Sequence, residues 1–157
     1  MNSPIIKQAI QAWFNTVKQA NKLLEQISDE DLLKPIAPNK NTGYYLLGHL
    51  TAVNDLLLSL LDLGEPLFPE IKSHFIRTPD NVERAFSIAE LKEKWSTVNA
   101  ELEKQFNQLT ADEWLLKHKA ISDADFAKEP HRNRFNVLLN RTNHMSYHIG
   151  QLVLLKS

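Results

Sequence analysis

Cysteine is absent from this chain of 157 residues. Disulfide bonds, thiolate metal sites and cysteine nucleophiles are therefore excluded, and the composition fits a reducing compartment such as the cytoplasm. Glycine is scarce, with four residues in the whole chain. So few glycines disfavour a β fold with many tight turns, whereas long Leu-rich stretches favour helices. We therefore expect an all-α, cytoplasmic protein.

An excess of charge of either sign is also absent. Eighteen Lys and Arg residues and nineteen Asp and Glu residues give a formal net charge of −1. Nucleic acid binding needs a basic surface, and an anionic membrane attracts polybasic segments, so neither partner is expected. The most apolar stretch, residues 44–63, contains His49, Asn54 and two aspartates. It is therefore too polar to be a membrane span.

The length and composition fit one globular domain over residues 1–157. Hydrophobic residues make up 43% of the chain and charged residues 24%, close to globular averages. We therefore expect a single hydrophobic core.

Four segments have apolar residues at intervals of three and four, the spacing of an amphipathic helix. Ser3, Thr42 and Ser87 are predicted N-caps, and Gly64 is predicted to end the second helix. Shorter turns are expected after Ser28 and Thr110. The four predicted helices cover about 4–27, 43–63, 88–109 and 132–155.

Four helices with one apolar stripe each can bury those stripes against one another. We therefore predict a four-helix bundle. A long connection, residues 65–86, separates the second helix from the third and permits more than one helix order. Residues 118–130 are predicted to form a loop.

The six histidines are the main candidates for chemistry. His144 and His148 are four residues apart in the predicted fourth helix, so their side chains lie on one face, one turn apart. This spacing allows two imidazoles to bind one metal ion. His49, in the predicted second helix, is either a third ligand or a hydrogen-bonded core residue. The remaining three fall in predicted loops and are expected at the surface: His74, His118 and His131.

Two motifs resemble those of a known family. They are GHL at residues 48–50 and NHMSYHIGQ at residues 143–151, whose order and spacing are similar to those of the DinB-like (YfiT-like) superfamily of metalloenzymes. The resemblance covers the whole chain. It implies a four-helix bundle, commonly a homodimer, with a divalent ion bound by His49, His144 and His148.

The resemblance also implies a function. Three neutral nitrogens without a carboxylate suit Zn²⁺, and equally Ni²⁺, Co²⁺ or Mn²⁺. With a fourth coordination position open, the cation can generate a nucleophile from bound water or thiol. The activities of related members imply that the reaction is hydrolysis or the transfer of a low-molecular-weight thiol. The implied substrate is a small molecule. The alternative is a non-catalytic helical bundle that binds a metal or another ligand.

Four further residues are candidates for supporting roles. Arg141, one turn before His144, is a candidate anchor for an anionic substrate, the alternative being a solvated surface arginine. Tyr45, Asn140 and Gln151 are either groups that orient an imidazole or ordinary helix residues.

The first two predicted helices also carry apolar residues outside their main stripes. These are Ile5, Ala9, Ala12 and Phe14 in the first, and Leu47, Leu56 and Leu58 in the second. A broad apolar face usually marks an interface, and two-fold dimers are the commonest assembly. We therefore predict a homodimer through these faces, with the alternative that residues 65–86 fold back and cover them.

Overall fold

The computed structural model describes residues 3–80 and 83–157, and within these ranges the protein is helical without a β-strand. Four α-helices have 18 to 23 residues and four have 4 to 6. The eight are α1 (Pro4–Gln26), α2 (Asp29–Leu32), α3 (Gly43–Leu60), α4 (Lys72–Phe75), α5 (Ile88–Gln108), α6 (Ala111–Trp114), α7 (Asp123–Lys128) and α8 (Arg134–Leu152). The all-α prediction is confirmed, and the described residues form four short helices besides the four long ones predicted, two of them where turns are expected after Ser28 and Thr110.

The long helices lie where the apolar periodicity places them. The largest differences are at the ends of α3, at residue 60 rather than 63, and of α8, at residue 152 rather than 155. The Thr42 hydroxyl accepts a hydrogen bond from the Tyr45 amide, and Ser87 forms a capping box with Glu90. Two of the three predicted N-caps are therefore confirmed, whereas the Ser3 side chain makes no capping hydrogen bond.

Helix α3 ends in a Schellman motif at Asp62, which has a φ of 58°. The Asp62 amide donates to the Ser59 carbonyl at 3.2 Å, and the Leu63 amide donates to the Leu58 carbonyl at 2.8 Å. These bonds satisfy carbonyls of the last turn. The prediction that Gly64 ends the helix is wrong, because Asp62 adopts the left-handed conformation before the glycine is reached.

Helix α3 is the central helix. It packs against α5, α8 and α4 and against a 3₁₀ helix at Pro69–Ile71, and most of its residues are buried. Leu47 and Leu58 are 1% and 2% exposed. The prediction that their face of the second helix forms a dimer interface is wrong, because this face belongs to the chain's own core.

The connecting segment, residues 65–80 and 83–86 among those described, covers α3. Ile71 and Phe75 from this segment are buried in the core. The Tyr44 hydroxyl on α3 donates to the Phe86 carbonyl at 2.8 Å, and the Tyr45 hydroxyl donates to the Thr78 carbonyl. The connecting segment is therefore hydrogen-bonded to α3. This agrees with the alternative prediction, in which residues 65–86 fold back and cover the apolar face of this helix.

Residues 118–130 contain helix α7, so the predicted loop is wrong there. The Ser122 hydroxyl accepts from the Asp125 amide and caps the helix. None of the side chains in α7 is buried, which explains why no apolar periodicity marks it. None of the helices within the described residues is long and apolar enough to cross a membrane.

Candidate metal centre

Helices α3 and α8 bring three histidines together. The Nε2 atom of His144 lies 3.2 Å from Nε2 of His49 and 3.2 Å from Nε2 of His148. Candidate ligand atoms of all three lie within 4.8 Å of one another. In residues 3–80 and 83–157, no other group of three or more His, Cys, Asp or Glu side chains converges in this way.

The separations of these nitrogens suit a small cation. Tetrahedral coordination at a Zn–N distance of about 2.0–2.1 Å places two ligand nitrogens about 3.3 Å apart. The two measured separations, 3.2 Å each, are close to this value. Two of the three nitrogen pairs therefore already have the spacing of ligands bound to one ion.

The hydrogen bonds made by Nδ1, the second nitrogen of the imidazole ring, also indicate a metal site. Nδ1 of His49 donates to the Phe75 carbonyl at 2.7 Å, and Nδ1 of His148 donates to Oε1 of Gln151 at 2.6 Å. A neutral imidazole carries one N–H group, so Nε2 of both rings presents a lone pair. If His144 carries its proton on Nε2, this N–H group can donate to only one of the two lone pairs. A cation among the three nitrogens satisfies all the lone pairs.

Burial favours the neutral form of two histidines in this cluster. All three rings are partly buried. Burial lowers the pKa of His144 to about 4, and the neighbouring His148, His49 and Arg141 add to the effect. Burial also lowers the pKa of His148, against the opposing effect of its hydrogen bond to Gln151. Since imidazole must be neutral to bind a metal, both shifts favour binding near pH 7.

The three residues predicted to orient an imidazole lie in different surroundings. The ring of Tyr45 stacks on His49, with centroids 6.2 Å apart. Gln151 bonds His148 and also donates to the Tyr147 hydroxyl at 3.4 Å. Asn140 is exposed. The structure therefore places two of the three predicted orienting residues against an imidazole, Tyr45 by stacking and Gln151 by a hydrogen bond.

Arg141 is partly buried on α8. Its charge lowers the pKa of His144, and burial lowers the pKa of its own guanidinium. The ion pairs formed among the described residues do not include it. Arg141 therefore differs from the fully solvated arginine of the alternative interpretation.

The other histidines lie outside the cluster. His74 and His131 are exposed, as predicted, whereas His118 is partly buried. Nδ1 of His118 accepts from the Ala120 amide at 3.1 Å. Burial lowers the pKa of His118, and the charge of Arg132 adds to this effect.

Sequence reasoning missed Phe75. Its part in the site is a main-chain carbonyl, which every residue type has, and it lies 26 residues from His49. No pattern of side chains could have identified it.

Known proteins provide an independent comparison. A sequence model of the DinB superfamily matches residues 14–152. The fold is similar to a crystal structure described as the conserved protein of locus from Enterococcus faecalis. The TM-score is 0.69 at 18% identity, over 99% of this chain and 96% of that chain, so this likeness concerns the fold alone. No curated protein matches the sequence.

Proposed function

This chain belongs to the DinB superfamily, and on that premise we propose that it is a metal-dependent enzyme acting on a small molecule. His49, His144 and His148 are the proposed ligands of one divalent ion. The observation that carries the proposal is the convergence of three Nε2 atoms, two of which must present lone pairs. The donor set suits Zn²⁺, Ni²⁺, Co²⁺ or Mn²⁺.

The proposed reaction is hydrolysis, or transfer of a low-molecular-weight thiol. A bound divalent ion lowers the pKa of a coordinated water or thiol and so supplies the nucleophile. The chain's own groups prepare the site for it. The Phe75 carbonyl and the Gln151 amide hold two imidazoles in the tautomer that presents Nε2, and burial keeps His144 and His148 neutral.

Arg141 is the proposed anchor for an anionic group of the substrate or thiol. The support is its partial burial one turn from His144, together with the absence of an ion pair to a described carboxylate. A guanidinium in this setting can form bidentate hydrogen bonds with a carboxylate.

One observation favours a second candidate, a non-catalytic bundle in which the histidines hold a structural metal. No carboxylate joins the three-histidine cluster in the described part of the chain, so the site lacks an evident general base. A thiol that binds the metal and changes the absorption spectrum of the Co²⁺-substituted protein would favour the enzyme. A metal that is inert to thiols and water would favour the structural role.

The decisive test of the metal site is the metal content of variants. His148→Ala removes one of the three nitrogens and should reduce the metal bound per chain severalfold after purification with added Zn²⁺. His118→Ala is the matched control, since His118 lies outside the cluster, and should bind as much as the native protein. Elemental analysis measures both. Full occupancy in a folded His148→Ala protein would contradict the ligand assignment.

The proposal also includes the protein's architecture and setting. We propose that α1, α3, α5 and α8 form a four-helix bundle. The support is that α1 contacts α8 and α5, and that α3 contacts α5 and α8.

We also propose a homodimer, supported by strongly exposed apolar side chains such as Ile5. A cytoplasmic location is supported by the absence of cysteine.

A further inference from the structure

Gly48 allows an unusually close approach between α3 and the connecting segment. A Cβ atom added at Gly48 would lie closer than 3.0 Å to three atoms of the Phe75 ring. Real side chains do not show such a distance, so any other residue at position 48 would force the ring or the helix to move. The approach of Phe75 to α3 therefore depends on the absence of a side chain at residue 48.

Phe75 has little freedom to move aside. Its side chain is 3% exposed. Its ring lies 5.7 Å from that of Tyr44, 5.9 Å from that of Tyr45 and 6.2 Å from that of Phe86. Because close-packed rings transmit a displacement to the backbone that carries them, a shift of this ring would also move the Phe75 main chain.

The Phe75 main chain is the group that holds His49. Its carbonyl accepts from Nδ1 of His49 at 2.7 Å, and this bond directs Nε2 towards His144. Such outer partners of a metal-binding histidine set both its tautomer and the orientation of its ring. Gly48, Phe75 and His49 therefore form a continuous chain of contacts that ends at the cluster.

We infer that Gly48 is a positioning residue for the metal centre. Its missing side chain lets the connecting segment approach α3, and the Phe75 carbonyl then fixes His49 as the Nδ1–H tautomer. The effect on metal affinity rests on the proposed function, whereas the effect on the tautomer does not. Gly48 itself does not contact the ion.

The test compares two glycines that lie close to ligand histidines. Gly48→Ala should weaken Zn²⁺ binding by about 10- to 100-fold, the usual cost of losing an outer partner of a ligand histidine. Gly150→Ala is the matched control. Gly150 lies two residues after His148, and a Cβ there would meet nothing within 4 Å. This control should bind Zn²⁺ as tightly as the native protein in competition with a chromophoric chelator.

A second measurement separates positioning from simple packing. The ¹⁵N chemical shifts of His49 in the metal-free native protein should show the Nδ1–H tautomer. In folded Gly48→Ala they should show a mixture of tautomers, whereas a residue needed only for packing would lower the melting temperature and leave the tautomer unchanged. If Gly48→Ala does not fold, the native spectrum decides, and an Nε2–H tautomer there would overturn the inference.

The two proposals can fail separately. A native protein that binds no divalent ion but holds His49 as Nδ1–H would reject the proposed function and retain the positioning of His49. A folded Gly48→Ala protein with native Zn²⁺ affinity and a native His49 tautomer would reject the positioning role while leaving the metal site intact.

Discussion

The fold strongly alters the protonation of His144. It lies between two other imidazoles, and its pKa is lowered from 6.5 to about 4, chiefly by burial. A proton on His144 would place a positive charge beside His49, His148 and Arg141. The folded, metal-free protein therefore resists protonation here, whereas the unfolded chain accepts a proton at the ordinary pKa.

This difference predicts a pH-dependent stability of the metal-free protein. Between pH 6.5 and about 4 the unfolded chain binds more protons at His144 than the folded one. Stability from this residue is therefore fully present above pH 6.5 and is lost as the pH falls towards 4. His148 contributes in the same direction.

Urea unfolding at pH 7 and pH 5 measures the effect. The native protein should lose more stability between these pH values than His144→Gln does, because the variant lacks the titrating group. His74→Gln, which alters an exposed histidine, should behave as the native protein does. An equal loss in the native protein and His144→Gln would contradict the prediction.

At the scale of elements, one buried carboxylate joins α3 to the start of the connecting segment. Asp55 is 1% exposed, and its two oxygens accept from the amides of Leu67 at 2.7 Å and Phe68 at 2.9 Å. Burial raises the pKa of Asp55, and these two hydrogen bonds oppose the rise. The carboxylate satisfies two amides where the chain turns back towards α3.

Asp55→Asn should therefore destabilise the protein. The amide side chain has one acceptor oxygen and presents an NH₂ group to a backbone donor, which costs about 1–3 kcal/mol when the group is buried. Urea unfolding at pH 7 measures this loss. Glu65→Gln, an exposed change in the same segment, is the control and should be neutral. An Asp55→Asn protein of native stability would show that the two amides find other partners.

At the scale of the whole molecule, only one of the two predicted apolar faces remains at the surface. The central position of α3 places Leu47 and Leu58 in the core, while Ile5 on α1 remains 68% exposed. Tyr147 in α8 and Leu154 just after this helix are 65% and 66% exposed. An interface between two copies must therefore use surfaces other than α3.

We predict a homodimer that uses the exposed face of α1. Light scattering at micromolar concentration should give about twice the 18.0 kDa mass of one chain. Ile5→Lys should shift the protein towards monomer because it places a charge in the apolar contact. Leu115→Lys, an exposed change outside α1, should leave the dimer intact. A mass of 18.0 kDa for the native protein would reject the dimer.

The sequence by itself determined the features that depend on near neighbours. The caps at Thr42 and Ser87 join groups three residues apart, and His144 and His148 share a face because they are four residues apart in one helix. Helical periodicity likewise located the long helices. Short-range geometry follows from the backbone, so residue spacing is enough to predict it.

Only the tertiary structure decided what surrounds α3. Spacing left His49 open as either ligand or core residue, and a family resemblance rather than a pattern suggested the first. The structure adds the Phe75 carbonyl, 26 residues away, and shows that the connecting segment covers α3. These contacts join parts of the chain that are far apart in sequence, and the bond to His49 is made by a main-chain carbonyl, which carries no side-chain identity. Residue spacing cannot specify them, because they depend on how all the helices pack together.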